Sequence, residues 1–173
     1  PCLRMPPAVR AELSRLLASI RPADGLFGVL LAHNHLVAAT RPRRATLHAD
    51  DLLLVMNTVS SSLRFRDDEA WLPICLPRFN GAGFLYAHVS FVADELCLVL
   101  LCTKADGFPA ASECRSRVAE RIAQPSEFRE SLLAALSAPQ YTVAELGVPH
   151  VCHCLFRLPG GAGGLDLYTA PRT

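Results

Sequence analysis

The stretch WLPICLPRFNGAGFLYAHVSF, from Trp71 to Phe91, decides the fold. It sets a cysteine between two prolines, then turn material at Asn80–Gly83, then an aromatic-rich run containing His88. Backbone N–H groups alternate sides along a strand, so Pro73 and Pro77 would leave gaps in the same hydrogen-bond ladder. A central strand does not tolerate two missing donors on one side; an edge strand does when that side faces solvent. Pro73 and Pro77 are therefore read as edge-strand markers, and they also blunt the open edge against aggregation. Leu72, Ile74 and Leu76 then bond to a second strand, Phe84–Val92. Their side chains share one face, and Trp71, Cys75 and Phe79 share the other.

Two runs elsewhere, Leu26–Leu31 and Leu96–Cys102, are apolar at odd and even positions alike. That pattern marks strands buried on both faces, hence the middle of a sheet with helices above and below. His35–Thr40 follows the first run, with Asn34-His35 as the tight turn of a hairpin. Helical spacing places helices over Val9–Ile20, Ala49–Ser61, Phe108–Ala123 and Ser126–Ser137. Asp50 and Asp51 sit in the first turn of the second, where the helix dipole favours carboxylates. The order helix, strand, strand, helix, strand, strand, strand, helix, helix gives an α+β fold. Its five-stranded antiparallel sheet has order 2-1-5-4-3, with helices on both faces. Residues 1–22 read as a leading helix and linker, 23–139 as the domain, and 140–173 as the incomplete start of a further domain with a Gly-rich tail.

About half of the 173 residues are hydrophobic and 19% are charged, which fits a packed core. The net charge of +1 gives no global field for nucleic acid. The chain opens PCLRMPP without a leading Met and reads as a piece of a longer protein with no secretory leader. Seven cysteines without a framework spacing read as reduced thiols in a cytosolic setting.

Several residue groups invite a chemical reading. Cys75 with His88 as base would make a Cys-dependent hydrolase, but the sequence supplies no third group to orient the histidine. Otherwise Cys75 is a half-buried strand residue. Arg41, Arg43 and Arg44 form the tightest basic cluster, either a contact for anionic lipid headgroups or a solvated connector around Pro42. His150, Cys152, His153 and Cys154 crowd four metal-ligand types into five residues, without the second separated pair of a structural zinc site. Gly160, Gly161, Gly163 and Gly164 lack the Lys-Ser/Thr of a phosphate loop and read as a flexible tail. Arg115, Arg117, Arg121, Glu113 and Glu120 read as the solvated side of a helix, and His33, His35 and His48 as turn or helix-start residues. No cofactor motif is present.

Three stretches carry a family resemblance: LHADDLLLVMNTVSSS, EAWLPICLPRFNGAGFLYAHVSF and ELCLVLLCTKADGFPAASECRSRVAERI. The chain resembles the second longin (profilin-like) domain of the vacuolar fusion Mon-one (monensin-sensitivity) family. YTVAELGVPHVCHCLFRL resembles that family's continuation into its third longin domain. The W-x-P-I-C-L-P-x-F-N stretch at Trp71–Asn80 is the most specific part. The resemblance implies a heterodimer with a Ccz-one-like triple-longin protein that acts as a guanine-nucleotide exchange factor. Its target is a late-endosomal Rab GTPase of the Rab-seven type, and its place is peripheral on endosomal membranes carrying phosphoinositide. It further implies that the GTPase-contacting surface lies in the first longin domain, so no exchange-site residue falls in this chain. A longin-type trafficking adaptor or coat subunit without exchange activity is the alternative from the same fold.

Overall fold

The computed structural model describes residues 2–43, 45–61, 68–93, 95–138 and 150, and the backbone of 154–157 and 166–169. The elements are α1 (Pro7–Ser19), β1 (Gly25–Ala32), β2 (His35–Thr40), α2 (Ala49–Ser61), β3 (Ala70–Leu76), α3 (Pro77–Asn80), β4 (Gly81–Ala93), β5 (Leu96–Cys102), α4 (Phe108–Ala123) and α5 (Glu127–Ser137). A hairpin of β6 (Cys154–Arg157) and β7 (Asp166–Thr169) follows, in a region read from sequence as unfinished domain and tail. Gly160–Gly164, Cys152, His153, Arg44 and the side chain of Cys154 lie outside the described residues.

The five strands run in the order β2-β1-β5-β4-β3, with antiparallel neighbours throughout. Every residue of β5 is buried, as a strand covered on both faces requires. The pleat divides the core into two layers. Leu30, Leu98, Leu100 and Cys102 face Leu13 and Leu17 of α1, Val118 and Ile122 of α4, and Leu132 and Leu136 of α5. Phe27, Val29, Leu101 and Val99 face Val55, Met56 and Val59 of α2. One face of the sheet thus carries three helices, and the other carries α2 with the single turn of α3. Because Leu13 is fully buried and Leu17 nearly so, α1 belongs to this core rather than standing before it as a leader.

Helix ends follow local chemistry. Proline occupies the first turn of α1, α3 and α4, where its missing N–H costs nothing. Ser126 caps α5 by accepting the Arg129 amide hydrogen at 3.2 Å. Arg121 reaches Glu12 of α1 at 3.3 Å and lies 5.6 Å over the Phe128 ring, so the solvated helix side read from sequence is partly an inter-helix clasp. Arg117 and Glu113 form an ordinary i,i+4 pair at 2.6 Å.

Two local readings need correction. The first hairpin turns at His33 and Asn34, both at positive φ (49° and 59°), one residue before the expected Asn34-His35. This two-residue connection with both φ positive matches the twist of the strands it joins. The second correction concerns Pro77, which lies outside the edge strand. β3 ends at Leu76 and Pro77 opens α3, so a one-turn helix at Pro77–Asn80 replaces the turn expected at Asn80–Gly83 and leads directly into β4 at Gly81. The helix breaks the two-residue alternation, which moves Phe79 to the α2 side, edge-on to Phe27 at 5.2 Å.

Candidate interaction surface

The two edges of the sheet are treated differently. Along β2, Cys2 forms a parallel bridge to Leu36, and the Leu3 amide donates to the Leu36 carbonyl at 2.9 Å. The Arg10 guanidinium from α1 donates to the carbonyls of Val37 and Leu3, closing this edge with a charge. Along β3, by contrast, no strand pairs with the outer side among the described residues. Pro73 lies there opposite Tyr86, exposed. Since Pro73 has no N–H, its pair must be one whose backbone groups point away from β4. The outer edge therefore offers carbonyls at 71, 73 and 75 but donors only at Trp71 and Cys75.

A second exposed feature is the outer stripe of α2. Leu53 is 50% and Leu54 42% exposed, between Asp50 and Asn57. Two adjacent exposed leucines on the main helix covering one sheet face give it a small apolar patch open to a partner. α2 is rigidly tied to the edge hairpin. Asp51, fully buried, accepts the Arg78 N–H at 3.1 Å and the Phe79 N–H at 2.8 Å. These are orphan amides in the first turn of α3, so Asp51 caps a helix other than its own. Asp50 adds an ion pair to Arg78 at 3.2 Å. Asp51 stands four and eight residues before Val55 and Val59, on the buried stripe, and that spacing was the signal that a carboxylate there needed partners.

On the opposite sheet face, His88 is fully buried and its Nε2–H donates to Glu69 at 2.6 Å. Arg115 approaches the same carboxylate at 4.0 Å and donates to the Phe91 carbonyl at 3.3 Å. Burial lowers the His88 pKa, against the hydrogen bond and charge of Glu69 that raise it, with Arg115 adding to the lowering. Burial pushes Glu69 up, but hydrogen bonds from His88 and Ser112 and the charges of His88 and Arg115 hold it below the ordinary value. Trp71 stacks on Tyr86 at 5.8 Å, meets the Phe108 edge at 6.0 Å and donates its indole N–H to the Ala105 carbonyl at 3.0 Å. The group that orients His88 is thus Glu69.

This orienting pair does not make Cys75 a nucleophile. The register sets His88 opposite Trp71, and Cys75 lies four residues further along β3, about 13 Å away at ~3.3 Å per residue. The buried thiols of Cys97 and Cys102 are pushed up to about 12 by burial, far from a reactive thiolate. Among the described residues no group of three or more His, Cys, Asp or Glu is placed to hold a metal ion. None of the described helices is long and apolar enough to cross a membrane. Arg41 and Arg43 are exposed in the connector between β2 and α2, where Arg41 donates to the Thr46 hydroxyl at 3.2 Å.

The sheet order, the three-against-one helix arrangement and the sequence together define a longin domain: residues 23–120 match the family model described as the second longin domain of FUZ, MON1 and HPS1. The chain belongs to that family. It is 41% identical over 172 residues to vacuolar fusion protein MON1 homolog A of Homo sapiens, covering 98% of this chain and 26% of that one. Vacuolar fusion protein MON1 of Cryptococcus neoformans is 33% identical over 156 residues, covering 90% and 25%. The MON1 homolog of Arabidopsis thaliana is 37% identical over 147 residues, covering 85% and 23%. The chain spans about a quarter of the length of these relatives. A Roadblock/LC7 domain from Streptomyces avermitillis aligns at TM-score 0.42 with 17% identity, over 65% of this chain and 96% of that domain, a likeness too slight to carry argument.

Proposed function

We propose that this domain is an interaction module of a MON1-type protein acting in vacuolar fusion. The observation that carries the reading is the 41% identity over nearly the whole chain to a vacuolar fusion protein. The geometry supports a scaffold rather than a covalent catalyst, because α2 leaves Leu53 and Leu54 exposed and, among the described residues, no strand pairs with the outer side of β3. In this reading a Ccz-one-like longin protein covers α2 and β3. The assembled pair exchanges nucleotide on a Rab-seven-type GTPase at late-endosomal membranes. Exchange of that kind makes no bond. It stabilises a GTPase conformation that holds nucleotide poorly, so the population shifts by differential affinity. Arg41 and Arg43 supply a contact to phosphoinositide headgroups, each worth about 1 kcal/mol near a charged leaflet.

Co-expression with a Ccz-one-like partner tests the assembly, and pull-down against nucleotide-free and nucleotide-bound GTPases tests the exchange role. The module should gain solubility with the partner and the pair should prefer nucleotide-free GTPase. Partner binding without that preference would identify a longin-type adaptor instead.

A further inference from the structure

We propose that Thr46 is a phosphorylation site for an arginine-directed protein kinase, and that Arg41 captures the phosphate it receives. The sequence around it is Arg43-Arg44-Ala45-Thr46-Leu47. Two arginines stand three and two residues before the hydroxyl, and an apolar residue follows it. A kinase whose substrate cleft carries acidic pockets reads such a pattern by charge complementarity, with an apolar pocket for the next residue. The chain conformation fits that use. Residues 45–48 form neither helix nor strand, and exposure alternates so that Ala45 and Leu47 lean on the core while Thr46 and His48 face out. The Thr46 oxygen accepts a hydrogen bond from Arg41 at 3.2 Å.

In the transfer, the Thr46 oxygen attacks the γ-phosphorus of Mg-ATP and the bond to the bridging β–γ oxygen breaks. ADP leaves, and the hydroxyl proton passes to the kinase's base. The product carries about −1.5 to −2 charges and three acceptor oxygens. The guanidinium already aimed at the hydroxyl then faces a phosphate, to which arginine binds in a bidentate fork. One phosphate offsets most of the positive charge of Arg41, Arg43 and Arg44. Release from an anionic membrane follows only if the membrane contact proposed above holds; the modification itself does not depend on it.

The test incubates the protein with the catalytic subunit of a cyclic-nucleotide-dependent, arginine-directed kinase and Mg-ATP, and locates phosphate by mass spectrometry. One phosphate on Thr46 is expected. The rate should fall about a hundredfold or more in Arg43→Gln/Arg44→Gln, since deleting each charge-assisted hydrogen bond costs a factor of about ten or more. Equal incorporation in Thr46→Ala, or phosphate elsewhere on folded protein, overturns the site. Capture by Arg41 predicts that the phosphate's second ionisation, followed by phosphorus NMR, falls below its usual pKa of about 6 and returns in Arg41→Gln. An ordinary titration in the parent overturns the capture. Phosphoinositide vesicles separate the readings. If binding is unchanged by phosphorylation of Thr46, the membrane contact fails and the site stands.

Discussion

Replacing Asp51 by Ala removes both acceptors from the Arg78 and Phe79 amides, which then face a cavity where the carboxylate was. Buried donors left unsatisfied cost about 1–3 kcal/mol, so urea unfolding should register a loss of that size, smaller for Asp51→Asn, which keeps one acceptor. His88 makes a pH-dependent contribution. Its folded pKa lies below the unfolded value of 6.5, so the unfolded chain takes up the proton first. Stability from this group is full above about 6.5 and declines as pH falls through that value toward the folded one. Urea midpoints measured from pH 8 down to 5.5 should therefore fall, and His88→Phe should flatten that decline. A slope unchanged in the variant would contradict the account. Glu69 is shifted down as well, so its contribution is present above the usual carboxylate range and is lost only in stronger acid. Neither partnership was legible as chemistry in the sequence. Asp51 was visible on its helix stripe, but what it caps depends on α3, a turn of helix hidden in residues that read as the end of the edge strand. Glu69 meets His88 only through the β3–β4 register, which no local pattern reveals.

Sheet edges account for much of the sequence's legibility. Continuous apolar runs identify β1 and β5 as the interior because burial on both faces leaves no room for polar residues, and Pro73 identifies an outer strand because a central one would lose a ladder bond. Pro77 misleads because proline suits a helix's first turn as well as an edge, and the residues that follow decide between them. Pro73→Val restores a donor on the outer side of β3. Self-association in sedimentation is the expected result, with monomer stability within about 0.5 kcal/mol of the parent. At the other edge, Arg10→Met keeps the aliphatic stem and deletes the bonds to Val37 and Leu3. A destabilisation of about 1.5–3 kcal/mol is expected, with faster hydrogen exchange at the Leu3 amide.

At the scale of the whole molecule, the asymmetry of the sheet matters most. Three helices bury one face, while α2 and one turn of α3 cover the other and leave Leu53 and Leu54 in solvent. A contact there needs no catalytic motif, and Cys75 lies too far along β3 from His88 to use it as a base. The surface was not legible in advance, since periodicity assigns both leucines to a helix without saying that nothing covers them. Truncating an interface anchor commonly costs more than 1 kcal/mol, and introducing charge into an apolar contact costs more still. The decisive measurement is the affinity of a Ccz-one-like partner for the parent and for Leu53→Asp/Leu54→Asp, whose fold is checked by urea unfolding. With both leucines in the interface, binding should weaken by about a hundredfold or more while unfolding stays near the parent's. A folded variant that binds the partner as tightly as the parent would contradict the placement of the interface on α2.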